Sequence, residues 1–271
     1  MAAPRRDTRG IVDPAGLLTR VRFRRHEPAE PLRRYVERYW FIDWDLPEPY
    51  VSHVVPHPSV HLTFQQDEGA PYAELTGVPG GLYSRRLTGR GRVCGVKFRP
   101  GGFRPYAPEH PVSHWTGRVL PARDVFPRAT PATARSVVSP VGDEARVAAL
   151  DAFLLPLAPV APDPQADLAT ALVDRVHEDR TARRVDDLAA TAGLSVRALQ
   201  RLFSAHVGVG PKWVILRYRI HEALERAGTR GEVDWAALAV GLGYADQAHL
   251  VRDFTATVGV PPTAYAQAAA G

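Results

Sequence analysis

Two stretches of this chain repeat each other, and that repeat constrains the fold more than any other feature. Phe203-Ser204-Ala205-His206-Val207-Gly208-Val209-Gly210-Pro211 returns as Phe254-Thr255-Ala256-Thr257-Val258-Gly259-Val260-Pro261-Pro262, an offset of 51. Upstream, Leu188-Ala189 with Gly193 returns as Leu238-Ala239 with Gly243, an offset of 50. The second copy therefore carries one more residue in its turn. A period near 50 also occurs in repeat arrays. Here there are two copies, each helical in pattern, which points to a duplicated small unit.

Each copy has the logic of two helices joined by a tight turn. The first helix carries an apolar residue followed by Ala (Leu188-Ala189, Leu238-Ala239), and the small side chain lets the second helix cross closely. Four residues on, Gly193 or Gly243 is suited to a turn with positive φ. Ser195 or Asp246 then stands as N-cap of the second helix. Val196, Leu199, Leu202 and Phe203 fall on one side of that helix in the first copy, and Leu250, Phe254 and Val258 in the second. The other side offers Arg197, Gln200, Arg201 and Ser204 in copy one, and Gln247, Ala248, His249 and Arg252 in copy two. Arginine forks onto guanine, glutamine pairs with adenine, and small side chains meet the thymine methyl. A polar helix face standing alone is usually just solvated. Its recurrence behind the same turn points to double-stranded DNA, read in two successive major-groove segments.

The connector fits that reading. Pro211 suits a first helical position, and Lys212 to Ala227 run unbroken to Gly228. At ~1.5 Å per residue this rod is about 25 Å long. It would space the two reading helices near one DNA turn, about 34 Å, on one face of a duplex.

At these residues the chain resembles the AraC/XylS family of bacterial transcription regulators. Gly208-Val209-Gly210-Pro211-Lys212-Trp213 and the segment from Gly241-Leu242-Gly243-Tyr244 through Asp253-Phe254 carry the likeness, which covers about residues 165–271. The resemblance implies seven helices, with base contacts from the early turns of the third and sixth. Those positions fall on Arg197, Gln200 and Arg201, and on Gln247, Ala248, His249 and Arg252. It also implies promoter or operator DNA and RNA polymerase as partners. Family members often carry Arg after the position of Tyr265, where this chain has Ala266.

The first hundred residues read as short strands punctuated by Gly and Pro, an antiparallel barrel or sandwich. Val55 to Phe64 and Gly95 to Phe103 resemble the cupin-like sensor domains attached to some of these regulators. A helix is expected from Asp143 to Leu155, its Val147, Leu150 and Leu154 stripe either pairing two copies of the chain or packing on the barrel. Four prolines between Pro156 and Pro164 end it and mark a semi-rigid linker near 156–164. The expected class is α+β: a β-barrel or cupin-like domain with flanking helices over 1–160, and an all-α domain of two helix-turn-helix units joined by a long helix over 165–271. An effector or a second copy of the chain is the expected partner of the first domain.

Composition limits the alternatives. Net charge is +5, which permits nucleic-acid binding without establishing it. Residues 180–271 hold eleven Lys and Arg against eight Asp and Glu, so motif and geometry must carry the case. No apolar run approaches the ~20 residues of a membrane span, and the N-terminus lacks the apolar core of a secretory signal. Cys94 is the lone cysteine, so no internal disulfide forms, and a cytoplasmic protein is expected. Cys94 reads as a small buried hydrophobe. His53, His57 and His61 recur every four residues, but Pro56 and Pro58 forbid a helix there, and turn or strand histidines are expected rather than a metal site. Tyr35, Tyr39, Trp40, Phe41 and Trp44 read as packing residues before a pocket lining. Gly77-Val78-Pro79-Gly80-Gly81 reads as a turn, since it lacks the ending of a phosphate loop. No catalytic arrangement and no cofactor is expected.

Overall fold

In the computed structural model the described residues are 8–179, 184–228 and 233–270. The strand-rich half contains helix α1 (Pro14–Arg20) and strands β1 (Val21–His26), β2 (Val36–Val54), β3 (His61–Gln66), β4 (Tyr72–Thr76), β5 (Tyr83–Phe98) and β6 (Val119–Pro121). The strands pair in the row β1-β2-β5-β3-β4-β6, every pair antiparallel. The long β2 and β5 form the spine. Their register shifts between Leu46 and Tyr50, where Pro47 and Pro49 have no N–H to give to a ladder.

Strand alternation sorts the two faces. Tyr39, Val96, Leu62 and Leu75 lie side by side across four strands, and so do Phe41, Cys94, Phe64 and Ala73. All eight are buried in one core, beneath helices α2 (Pro131–Val138) and α3 (Asp143–Leu154). Phe153 meets Phe64 edge-on at 5.2 Å. Tyr39 donates its hydroxyl to Asp151 at 2.7 Å, which ties α3 to the sheet. The Leu150 and Leu154 stripe is buried here, with Val147 packed beside it. Burial pushes the Cys94 thiol up to about 12, as expected of an inert packing residue. On the opposite face Trp40 lies over its cross-strand partner Gly95, and Trp44 over Gly91. A Cβ at those glycines would fall 2.1 and 2.2 Å from the indole rings.

The helical half contains α4 (Pro164–Glu178), α5 (Val185–Thr191), α6 (Val196–His206), α7 (Pro211–Ala227), α8 (Trp235–Gly241), α9 (Gln247–Val258) and α10 (Pro262–Ala270). Seven helices among the described residues match the number the resemblance implies. The expected pairing of an antiparallel sheet region with an all-helical C-terminal region holds. Residues 158–163 between the halves have no regular structure. The core nevertheless does not stop there. The buried cluster that starts at the sheet runs on through Leu154, Ala169, Leu172 and Val173 to Leu199, Phe203, Val214 and Ile215. Ile220, Leu224, Leu250, Phe254 and Tyr265 build a second cluster, to which the sheet half adds Val55.

Candidate nucleic-acid interface

Both turns close by the same hydrogen bonds. Leu194 N–H donates to the Ala189 carbonyl at 2.9 Å, and Tyr244 N–H donates to the Ala239 carbonyl at 2.9 Å. Gly193 and Gly243 stand at φ +64° and +78°, the left-handed region where a Cβ is costly. Ala189 and Ala239 are both buried, as a close helix crossing requires. The caps then differ by one place. Ser195 follows Leu194 directly and accepts from Ala198 N–H at 3.2 Å. Asp246 comes two residues after Tyr244 and accepts from His249 N–H at 2.8 Å. The extra residue of the second copy is therefore Ala245.

The caps aim α6 and α9. Leu199, Leu202 and Phe203 on α6 are buried, as are Leu250, Phe254 and Val258 on α9, while Val196 is half-buried. Arg197, Gln200, Arg201, Ser204, Gln247, Ala248, His249 and Arg252 are all exposed. Among the described residues the guanidinium groups of Arg197, Arg201 and Arg252 make no hydrogen bond or ion pair inside the chain. His249 is turned back, its Nδ1 lying 2.9 Å from Asp246. The hydrogen bonds from the His249 backbone and ring hold the Asp246 carboxyl below its ordinary range. Ser204 is engaged elsewhere: its hydroxyl donates to Ser113 of the strand-rich half at 3.1 Å.

That contact belongs to an interface that the sequence pattern did not reveal. The 3-10 turn Val112–His114 packs against α6, and Thr116 donates to the Gly208 carbonyl at 2.7 Å. A Cβ at Gly208 would come within 2.9 Å of Thr116 Oγ1 and 3.0 Å of Val112. The connecting rod α7 is gripped too. Arg217 is buried, stacks 4.3 Å from the Trp213 ring and donates to the Gly80 carbonyl at 3.3 Å. Burial pulls its pKa down to about 10. The Gly77–Gly81 stretch is thus a turn, as expected, and also a docking point.

The recurring histidines make structural contacts. His57 stacks on His221 of α7 with ring centres 4.3 Å apart, and Trp40 donates to His61 Nδ1 at 3.3 Å. His53 lies 2.8 Å from Ser84 Oγ. Among the described residues there is no group of three side chains placed to hold a metal ion. No helix among them is long and apolar enough to cross a membrane.

Comparison with known proteins agrees with this geometry. Residues 188–268 match a family described as a helix-turn-helix domain, and residues 24–121 match a domain of unknown function, DUF6597. A curated relative from Streptomyces lividans, described as an AraC-like transcription regulator, is 35% identical over 98 residues. That match spans 36% of this chain and 32% of the relative, about a third of its length. Among solved structures, ToxT from Vibrio cholerae O395 is 13% identical, covering 86% of this chain and 98% of its own, with a TM-score of 0.42. The DNA-binding domain of AdpA, solved with a target DNA, is 26% identical over 40% of this chain and 93% of its own, with a TM-score of 0.32. Two matching turns, two capped helices and the matched segment at 188–268 agree: behind a sheet-rich N-terminal region the chain carries a helix-turn-helix domain, a pair of units of the AraC type.

Proposed function

We propose that this chain is a sequence-specific regulator of transcription initiation that reads two successive major-groove segments of double-stranded DNA. The observation that carries the reading is the duplicated presentation. Two helices, each backed by an apolar face and fixed by a side-chain cap, expose arginines whose guanidinium groups make no hydrogen bond or ion pair among the described residues. Arg197, Gln200 and Arg201 on α6, and Gln247, Ala248, His249 and Arg252 on α9, are the proposed contacts to DNA. Ser204 sits at the edge of the first set, within reach of Ser113. The relative from Streptomyces lividans, named as a transcription regulator, supports the same reading.

In this reading residues 1–160 modulate the reader at 165–271 by sensing an effector or pairing two copies of the chain. RNA polymerase is the further partner, and the cytoplasm is the place of action. The test is enrichment of genomic fragments by the purified chain, followed by footprinting of the enriched sites. Protection of two segments about 10 base pairs apart on one face of the duplex is the expected result. No preference over random DNA at physiological salt would sink the proposal, because charge alone binds all sequences alike.

A further inference from the structure

The core face of the sheet changes character along its strands. Beyond the buried row of Phe41, Cys94 and Phe64, the next cross-strand row is Arg22, Asp43, Arg92 and Gln66. Beyond that, Asp45 pairs with Arg90. This charged end opens into a cavity of about 750 Å³, walled on one side by Ser139 and Val141 after α2 and by Arg146 of α3. Six arginines against three aspartates line it, and every lining residue lies in the strand-rich half.

Arg20 is held apart, on the Gly16 carbonyl and over the Tyr50 ring, and the other five arginines fall into two sets. Arg24, Arg92 and Arg146 form a fixed frame. Asp43 is shared by all three. Asp143 takes Arg24 through two bonds, at 2.7 and 2.9 Å. The carbonyls of Val138 and Pro140 hold Arg92 and Arg146 at 2.7 and 2.8 Å. Arg146 is only 2% exposed, so the frame is built into the wall. Two carboxylates thus serve three guanidinium groups. Arg22 and Arg90 form the second set. Both are exposed at the mouth, and neither guanidinium makes a hydrogen bond or ion pair among the described residues.

We propose that this mouth binds a small polyanion, a polycarboxylate or phosphate compound, gripped by Arg22 and Arg90 and oriented by the arginine frame. A fixed, positively charged concavity suits this class. Guanidinium forks bind carboxylate and phosphate oxygens in pairs, and the volume lies in the ~300–1,000 Å³ range of small-molecule sites. Few apolar groups line it, which disfavours a greasy ligand. The inference rests on the reading of residues 1–160 as an effector-sensing unit and gives that unit a ligand class.

Calorimetric titration of the full chain with citrate and with pyrophosphate, each against sodium chloride at matched ionic strength, tests it. Saturable binding of at least one anion, with a raised melting temperature, is the expected result. The double variant Arg22→Gln/Arg90→Gln should melt as the wild type does without ligand and bind about tenfold or more weakly. Arg123→Gln/Arg128→Gln, which removes the same charge from another exposed surface, should bind as the wild type does. Binding of neither anion beyond the chloride control would overturn the site, as would undiminished binding by the mouth variant. Weakened DNA binding by the mouth variant, with no anion present and the control variant unaffected, would assign these arginines to DNA and also overturn it. Anion binding that leaves DNA affinity unchanged would keep the site and defeat the sensing reading alone.

Discussion

Arg201 and Arg252 stand at the same place in their units, each six residues after its cap, Ser195 or Asp246. Both are exposed, and among the described residues neither guanidinium forms an ion pair, although Asp246 feels the charge of Arg252. If each meets a base edge, Arg201→Ala or Arg252→Ala weakens specific binding by roughly 1–3 kcal/mol and relaxes base preference at one position. Selection of bound duplexes from a randomised pool, followed by anisotropy titrations, measures both effects. A loss equal across all sequences would make these residues phosphate contacts. The candidate side chains were legible because the outward positions of a capped helix follow from its cap and its 3.6-residue period. The hydrogen bond from Ser204 to Ser113 was not, since its two residues lie 91 positions apart. Nor were the Trp40–Gly95 and Trp44–Gly91 pairs. They depend on the register of β2 against β5, which no local pattern specifies.

At the scale of elements, glycines with positive φ separate two kinds of constraint. Gly193 stands at φ +64° with open space where a Cβ would go. Gly193→Ala therefore carries only the backbone penalty, roughly 1–2 kcal/mol. Gly208 stands at φ +93° and also faces Thr116 and Val112. Gly208→Ala should lose the same amount and in addition loosen the Val112–His114 turn from α6. Denaturant unfolding gives the first effect. Hydrogen exchange across residues 112–117 gives the second, and equal protection there in the two variants would refute the distinction. The two-helix units were readable because turn chemistry and apolar spacing are local signals. Whether a proline-rich stretch separates two bodies depends on what packs across it. Here residues 158–163 leave the helical order while the buried cluster continues from Leu154 to Ala169.

For the whole molecule, the strand-rich half grips both helical units. It holds the first through Ser113 and Thr116, the connecting rod α7 through Gly80 and His57, and the cluster under the second through Val55. A change in the sheet is therefore mechanically placed to reach α6 and α7 without a flexible relay. The His57–His221 stack makes part of this grip sensitive to acid. His221 is 1% exposed, and burial lowers its pKa to about 3. Burial also pulls His57 well below the ordinary histidine value, and Lys97 adds to the shift. Arg217, Lys97 and Arg9 all oppose a charge on His221. The unfolded chain takes up protons as pH falls below ~6.5, while the folded chain does not. Stability is thus full above that value and declines as pH falls toward the folded pKa. Between pH ~7.5 and ~5.5 each such histidine contributes about 1 kcal/mol to the loss. Urea unfolding at the two pH values should show this decline, and a shallower one in His221→Leu, whatever that variant's stability at neutral pH. An equal slope in the variant would show that the loss on acidification arises elsewhere than at the contact between the sheet and α7.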